Sequence, residues 1–516
     1  MCSNGIGKDS PGGKSASPAL RTGDSVRLAS GLRAVSARHM APTSSVSIFT
    51  LLIIVAVVLT CTLNLVIHHF IEEQAQLSPG LPLFQQWSEP SVPIYLQFYF
   101  FNLTNPTDFR LGAKPIVKQC GPYTYHERRF KRQVEINETA STISYSEEKQ
   151  YFFVRAMSVG PESDVICSIN LVYLTIAYQV SWLPKVFISI LEMAEELFSD
   201  ELITRHNVSD WLWGYEDPFL SYIKQLIPLN ISVVGLYSNK NNTLDGPYVI
   251  DSGVSDRTKL GHILKYQGHS SMSCWTTSLA NQINGSDGSL FHSFLGQDED
   301  IFVFAADICR SLEFSPREWS EIHGIRTRKY LPLEDSFDSP KLNKKNRGFC
   351  PHWPTCFETG VLDMSSCQPG IPLAMSMPHF VHANRTYQDG VIGLHPSAEF
   401  NTTFHIEPRT GLVLSATKKL QVNANITRNP KFRSLATVSS VLLPIMFVNE
   451  SVTVDSDHAK WLRQSIDVIP LVAFVGTSLL LATAFMVILI LTIVFMRQRR
   501  EPDSEPLLTT DSDVVA

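Results

Sequence analysis

The sequence predicts a two-span membrane protein whose middle is mainly antiparallel β with a helical insert. Three observations predict it: a pair of long uncharged apolar runs, the confinement of every N-glycosylation signal between them, and repeated strand-like alternation broken by Gly, Pro and Asn. Each apolar run exceeds the roughly 20 residues a helix needs to cross a bilayer.

Residues 1–45 come first and are rich in Gly, Ser, Pro and Arg, the composition of a disordered cytosolic tail. Gly12-Gly13-Lys14-Ser15 resembles a phosphate loop at a glance, but the first Gly is out of register and no strand precedes it. Residues 46–67 form the first span. Its position well into the chain, its length, and the absence of a small-x-small site after it indicate a signal anchor that is retained, not a cleaved signal peptide. Arg27, Arg33 and Arg38 precede it, while Glu72 and Glu73 follow it. Residues 468–496 form the second span, with Asp467 before it and Arg497, Arg499 and Arg500 after it. The basic flanks put both termini in the cytosol.

The sequons give the same topology. Asn-x-Ser/Thr occurs at Asn102, Asn137, Asn207, Asn230, Asn241, Asn284, Asn384, Asn401, Asn425 and Asn449. Glycosylation is a lumenal modification of surface asparagine, so residues 68–467 read as a glycosylated lumenal ectodomain. A net charge of −6 argues against a nucleic-acid partner.

Cys2 is placed in the cytosol and Cys61 in the first span, leaving Cys120, Cys167, Cys274, Cys309, Cys350, Cys356 and Cys367 in an oxidising compartment. Seven is odd, so one at least is free or paired with another chain. Cys350, Cys356 and Cys367, with Cys309 upstream, look most like a disulfide framework. The spacings lack CxxC, and the compartment favours disulfides over zinc.

Within the ectodomain, the aromatic run Tyr95–Phe101 reads as a strand, with Asn105-Pro106 and Gly121-Pro122 as turns. Strand patterns recur at Gln150–Met157, Ile301–Ala305, Leu412–Ala416 and Leu420–Ile426. A helix is predicted from Pro184 to Leu202. Val186, Ile190, Met193 and Leu197 form one apolar row on it, and Phe187, Leu191, Ala194 and Phe198 a second beside it. Such stripes ordinarily pack on a core; the sharper expectation is a partner-binding face made by Phe187, Ile190, Leu191, Ala194 and Phe198. A further helix is predicted over Val208–Leu226.

Catalytic signatures such as GxSxG and HExxH do not occur, and the lumenal histidines His262, His269, His292, His379 and His395 follow no ligand spacing. The sequence therefore predicts no enzyme, no metal and no cofactor.

Several motifs in register resemble the class B scavenger receptor family. They are Asn102-Leu103-Thr104-Asn105-Pro106, Cys120-Gly121-Pro122-Tyr123, Leu212-Trp213-Gly214-Tyr215 and Ile283-Asn284-Gly285-Ser286-Asp287-Gly288. Asp307-Ile308-Cys309-Arg310-Ser311, Gly360-Val361-Leu362-Asp363, Pro378-His379-Phe380 and Ile406-Glu407-Pro408-Arg409-Thr410-Gly411 follow. The resemblance implies a large antiparallel β-barrel ectodomain, a helical apex bundle near 172–226 and an apolar lipid tunnel. It implies lipid ligands such as cholesterol or fatty acids, or lipoproteins, and leaves homo-oligomers open.

Two features are similar to the lysosomal integral membrane protein branch. The cysteine pattern around Cys350 implies bridges Cys309–Cys367 and Cys350–Cys356, with Cys120, Cys167 and Cys274 left open. The tail 497–516 carries Asp503, three intervening residues and the pair Leu507-Leu508, an acidic dileucine signal of the kind clathrin adaptors read. That branch implies a lysosomal or late-endosomal membrane, with the plasma membrane as alternative, and acid β-glucosidase as cargo. The branch's acid release implies a titrating histidine, yet no His lies between Tyr173 and Arg205, and Lys185 holds the first turn of the predicted helix. A purely structural lysosomal glycoprotein is the remaining alternative.

Overall fold

The computed structural model describes residues 42–198, 201–223 and 234–498. Two helices in it, Pro42–Gln74 and Ile469–Gln498, are long and apolar enough to cross a membrane. The first is longer than the 46–67 run and continues through His68 and His69. A short helix, Ser456–Arg463, and one turn of π-helix, Gln464–Val468, lead into the second.

Between them the chain forms β1 (Ile94–Leu103), β2 (Val117–Asn137), β3 (Thr142–Phe153), β4 (Val165–Ile169), β5 (Ile203–Asn207), β6 (Thr243–Asp251), β7 (Ile263–Tyr266) and β8 (Ile301–Ala305). β9 (Arg310–Ile322), β10 (Ile325–Pro332), β11 (Val361–Asp363), β12 (Leu373–Ser376), β13 (Thr403–Glu407), β14 (Leu412–Ile426) and β15 (Val441–Thr453) complete the set. Among the described residues, thirteen strands join one antiparallel sheet, whose main order is β7-β6-β3-β2-β1-β15-β14-β13-β10-β9-β8. β4 and β5 pair separately.

The sheet curls into a nearly closed barrel because its two ends share a stitch. The Ile263 N–H donates to the Gly285 carbonyl (2.8 Å), the Ser286 N–H to Phe302 (3.2 Å), and the Phe304 N–H to Ser286 (2.8 Å). Gly285 sits at φ +78°, and a Cβ there would lie 1.9 Å from the Phe302 oxygen. Only glycine lets the backbones meet so closely. Closing the seam leaves few unpaired edge groups.

β1 shows why the alternation forms a wall: Ile94, Leu96 and Phe98 are buried inward, while Tyr95, Gln97 and Tyr99 are half-buried on the other face. Gly121-Pro122, expected as a turn, lies instead inside β2, where the β1–β2 register shifts between Phe98 and Phe100. Pro122 has no N–H for the ladder, and the shift accommodates it as a bulge. Asn105-Pro106 opens a short helix, Pro106–Arg110, with Pro in the first turn. The two patterns at Leu412–Ala416 and Leu420–Ile426 are one strand, β14. Gln150–Met157 holds only the end of β3, followed by a 3₁₀ turn at Arg155–Met157.

The helical insert also differs from expectation. The Pro184–Leu202 helix spans Lys185–Phe198. Leu202 is buried just ahead of β5, whose Ile203 pairs with Ile169 of β4. The Val208–Leu226 helix is two short ones, Val208–Trp213 and Pro218–Ile223. Gly214 at φ +106° turns the chain between them, and residues 224–226 lie outside the described set. A helix at Leu171–Gln179 starts this region, with Asn170 capping the N–H groups of Val172 and Tyr173.

Candidate functional site

The Lys185–Phe198 helix turns one face to the protein and an apolar face to solvent. Ile188 is fully buried, and the Glu192 Oε1 accepts the Arg433 N–H. Arg433 also ion-pairs with Glu196, while the Lys431 ammonium donates to the carbonyls of Ser181 (2.7 Å) and Leu183 (3.1 Å). The segment between β14 and β15 thus fastens the helix and the turn before it. On the outer side, Val186 is 71% exposed, Phe187 56%, Ile190 59% and Met193 71%. Trp182, in the turn before the helix, is 77% exposed. The exposed face therefore includes three members of the first apolar row as well as Phe187 from the second. The helix backbone is described through Phe198, but the side chains of Leu191, Ala194, Leu197 and Phe198 lie outside the described set. A contiguous apolar face of this kind marks an interaction surface more often than chance exposure.

The barrel interior holds a feature that sequence reading missed. Along β2 the inward positions run Tyr125, Glu127, Arg129, Lys131; along β3 they run Tyr145, Glu147, Lys149, Tyr151. Arg129 joins Glu127 (2.5 Å) and, across the β1 strand, Glu450 of β15 (2.8 Å). Lys131 joins Glu147 (2.5 Å) and Asp287 (3.2 Å), and Lys149 joins Glu147 (3.3 Å). Lys418 of β14 bridges Glu450 (4.0 Å) to Asp307 (3.0 Å), and Lys240 reaches Asp307 from the other side (3.0 Å). Five cations and five carboxylates form one connected belt whose formal charges cancel.

The electrostatics follow from that mixing. Burial alone raises the Glu147 carboxyl, yet Lys131, Arg129 and Lys149 hold it well below the usual carboxylate range. Lys418, with Lys240 and Lys149, holds Asp307 well below its usual value against the opposing effect of burial. Glu450 and Asp287 are lowered in the same way, burial being overcome by Arg129 and Lys131 respectively. Glu147, Asp307, Glu450 and Asp287 are therefore ionised throughout the neutral and endosomal range. Apolar groups flank it: Tyr125, Tyr151, Trp213 and Tyr237 pack together on one side, and Trp87, Tyr145, Tyr248 and Tyr266 on the other. Lys418 and Asp307 keep 37% and 39% of their side-chain surface accessible, so open space remains beside them.

At another end of the barrel, Arg409 of the Glu407–Gly411 turn binds Asp467 (2.7 Å) and the Ile466 carbonyl (2.9 Å) in the π-turn. The next loop hydrogen-bonds to this turn through the Phe294 N–H and the Arg409 carbonyl, and the Phe294 ring stacks on His68 at 3.8 Å. The segments that lead into both apolar helices are thereby tied to neighbouring loops.

Cys309 is bridged to Cys367 and Cys350 to Cys356. Cys120, Cys167 and Cys274 are free thiols, and burial pushes each above its ordinary value. Among the described residues no cluster of three or more His, Cys, Asp or Glu is arranged to hold a metal. None of the nine described sequon asparagines is fully buried, and Asn137 and Asn284 are exposed. Asn230 and the tail signal at Asp503, Leu507 and Leu508 lie outside the described residues.

Comparison with known proteins places this architecture. The family model described as the CD36 family matches residues 46–496, which takes in both apolar helices and everything between them.

The chain belongs to the CD36 family.

Lysosome membrane protein 2 of Homo sapiens is 35% identical over 401 residues, covering 77% of this chain and 82% of that relative. The Mus musculus protein of the same name is 34% identical over 402 residues. Scavenger receptor class B member 1 of Sus scrofa is 28% identical over 433 residues, covering 83% of this chain and 84% of that relative. This CD36-family chain is thus a membrane protein similar to lysosome membrane proteins and to a scavenger receptor. Their names denote a membrane protein and a receptor, in keeping with a non-enzymatic role at that level.

Proposed function

We propose that this CD36-family protein is a lysosomal membrane receptor. In this reading residues 68–467 are lumenal and glycosylated, both tails are cytosolic, and the Asp503–Leu508 signal recruits clathrin adaptors. The receptor captures a lumenal hydrolase, acid β-glucosidase, on the outer face of the Lys185–Phe198 helix. The exposed row Val186, Phe187, Ile190 and Met193 carries the proposal. Burying such side chains against a partner contributes about 1.5–3 kcal/mol each before the cost of association. Similarity to lysosome membrane protein 2 supports the compartment.

The groups that hold the helix are Lys431, Arg433, Glu192 and Glu196. No histidine lies on the helix. Affinity of the full-length protein for acid β-glucosidase, measured at neutral and lysosomal pH, tests the reading; absence of binding at neutral pH defeats it.

A second reading is lipid carriage, supported by the similarity to a scavenger receptor and by the open space beside Lys418 and Asp307. The charged belt interrupts the apolar interior, so a carried lipid would need a polar group to lie against it. Binding of a labelled fatty acid and of cholesterol to wild type and Lys418→Met distinguishes this reading: equal affinities in both proteins remove the belt from any lipid site.

A further inference from the structure

A buried guanidinium without a contacting carboxylate lies beside the Cys350–Cys356 bridge. Arg310 opens β9 and is 6% exposed. Its Nη2 donates to Asn346 Oδ1 at 3.1 Å, and its plane lies 3.7 Å from the Phe349 ring centroid and 5.4 Å from that of Phe337. The rings attract the cation through their quadrupoles but supply no net charge. Asp335 acts on it only from a distance, and burial lowers the guanidinium to about 9, so it is desolvated yet still charged at neutral and acid pH. Every cation of the interior belt, by contrast, touches a carboxylate. The Arg310 Nε–H has no hydrogen-bond partner among the described residues.

A cavity of about 30 Å³ opens against this side chain. Ser339 lines it too, is 2% exposed, and has a hydroxyl without a hydrogen-bond partner among the described residues. Phe337, Phe349 and Phe357 make its apolar walls; Asp338 and Asp363 border it without pairing with Arg310. A single water needs roughly 10–15 Å³ measured this way, so the space admits a small ion. Two residues that line one small cavity each carry a buried, unpartnered hydrogen-bond donor, one of them cationic, and call for a ligand that accepts from both. A buried charge is costly until it is paired.

We propose that this cavity binds a small monovalent anion of halide size, held between the Arg310 Nε–H and the Ser339 hydroxyl. The site is separate from the docking helix and from the barrel belt, and it stands or falls independently of the proposed function. The anion would neutralise Arg310 where β9 leaves the Cys309–Cys367 bridge and where the Cys350–Cys356 loop packs on it.

The test uses full-length protein in detergent, first in sodium gluconate and then titrated with sodium chloride at constant ionic strength. The thermal midpoint and the chloride-35 NMR line width are read together. The midpoint rises with chloride, the folded-to-unfolded ratio increasing about 100-fold when chloride reaches 100 times its dissociation constant. Excess line broadening appears in wild type, disappears in Arg310→Met, and needs about tenfold more chloride in Ser339→Ala. If Arg310→Met does not fold, the wild-type titration and Ser339→Ala decide. Equal midpoints in chloride and gluconate without excess broadening show that the cavity holds only water and overturn the proposal. Retention of the full chloride response in Ser339→Ala places the anion elsewhere and overturns it equally.

Discussion

Glu192 Oε1 accepts the backbone N–H of Arg433 at 2.5 Å, which ties the solvent-facing helix to the segment between β14 and β15. Lys431 adds two bonds to the carbonyls of Ser181 and Leu183. Val186, Phe187, Ile190 and Met193 are exposed, so these polar ties contribute to the helix's local stability. Lys431→Met should cost about 1–3 kcal/mol of local stability. Hydrogen exchange across residues 185–198 should accelerate by about tenfold or more, while β1 and β15 stay protected. Equal acceleration in the barrel strands would show that the tie is global.

The interior belt predicts a large penalty for breaking any one buried pair. Glu147→Gln leaves Lys131, which is 2% exposed at its side chain, without its nearest carboxylate. Chemical denaturation should register a loss of about 3–5 kcal/mol. The pH dependence has a definite sign. Glu147 and Asp307 are held below their unfolded values, so their contribution is fully present above about pH 4.3 and is lost as pH falls through the lowered native values. The difference between wild type and Glu147→Gln should therefore be flat from pH 7 to pH 5 and shrink only in stronger acid. A difference that already shrinks between pH 7 and pH 5 would contradict the lowered Glu147 carboxyl.

His379 contributes in the opposite pH window. It is 1% exposed, its Nδ1 accepts the His395 N–H at 3.1 Å, and its Nε2 meets Gln119 Oε1 at 2.7 Å, so the neutral ring with its proton on Nε2 satisfies both contacts. Burial, aided by His395, lowers it to about 4. The unfolded ring protonates near 6.5 while the native ring does not, so stability falls as pH drops from about 6.5 toward 4. At pH 5 this amounts to about 2 kcal/mol. His379→Gln should lower stability at pH 7 and flatten its decline between pH 7 and pH 5. An unchanged slope in that variant would assign the decline to other groups.

The tail signal makes a cellular prediction. Leu507→Ala with Leu508→Ala removes the apolar pair that an adaptor would bury. The protein should move from lysosomes to the cell surface, scored by surface labelling. Unchanged lysosomal residence would defeat the signal.

Much of the fold could be read from the chain because it depends on local pattern. The two apolar runs needed only length, and β1 needed only the alternation of Ile94, Leu96 and Phe98 with Tyr95, Gln97 and Tyr99. Features that depend on a distant partner could not be read. The Gly121-Pro122 bulge exists only against Phe98 and Phe100, and Arg129 meets Glu450 across 321 residues. The stitch at Gly285 appears only once β7 and β8 approach each other. The helix rows at 185–198 were visible, but which row faced outward depended on Ile188 and on the Lys431–Arg433 segment. Arg310 stands in the Asp307–Ser311 motif, but its meeting with Ser339 is tertiary and left no sequence signal.

The central claim is that the outer face of the Lys185–Phe198 helix captures a lumenal hydrolase. The direct measurement is the affinity of full-length protein for acid β-glucosidase at neutral pH, in wild type, Ile190→Asp and Met193→Asp. Both side chains are exposed, so these changes should leave the thermal midpoint within about a degree or two. The account predicts measurable wild-type binding that falls by at least about tenfold in each variant, since a charge in a buried interface costs more than about 1.4 kcal/mol. Wild-type binding that both variants retain in full, or no wild-type binding at all, would contradict it.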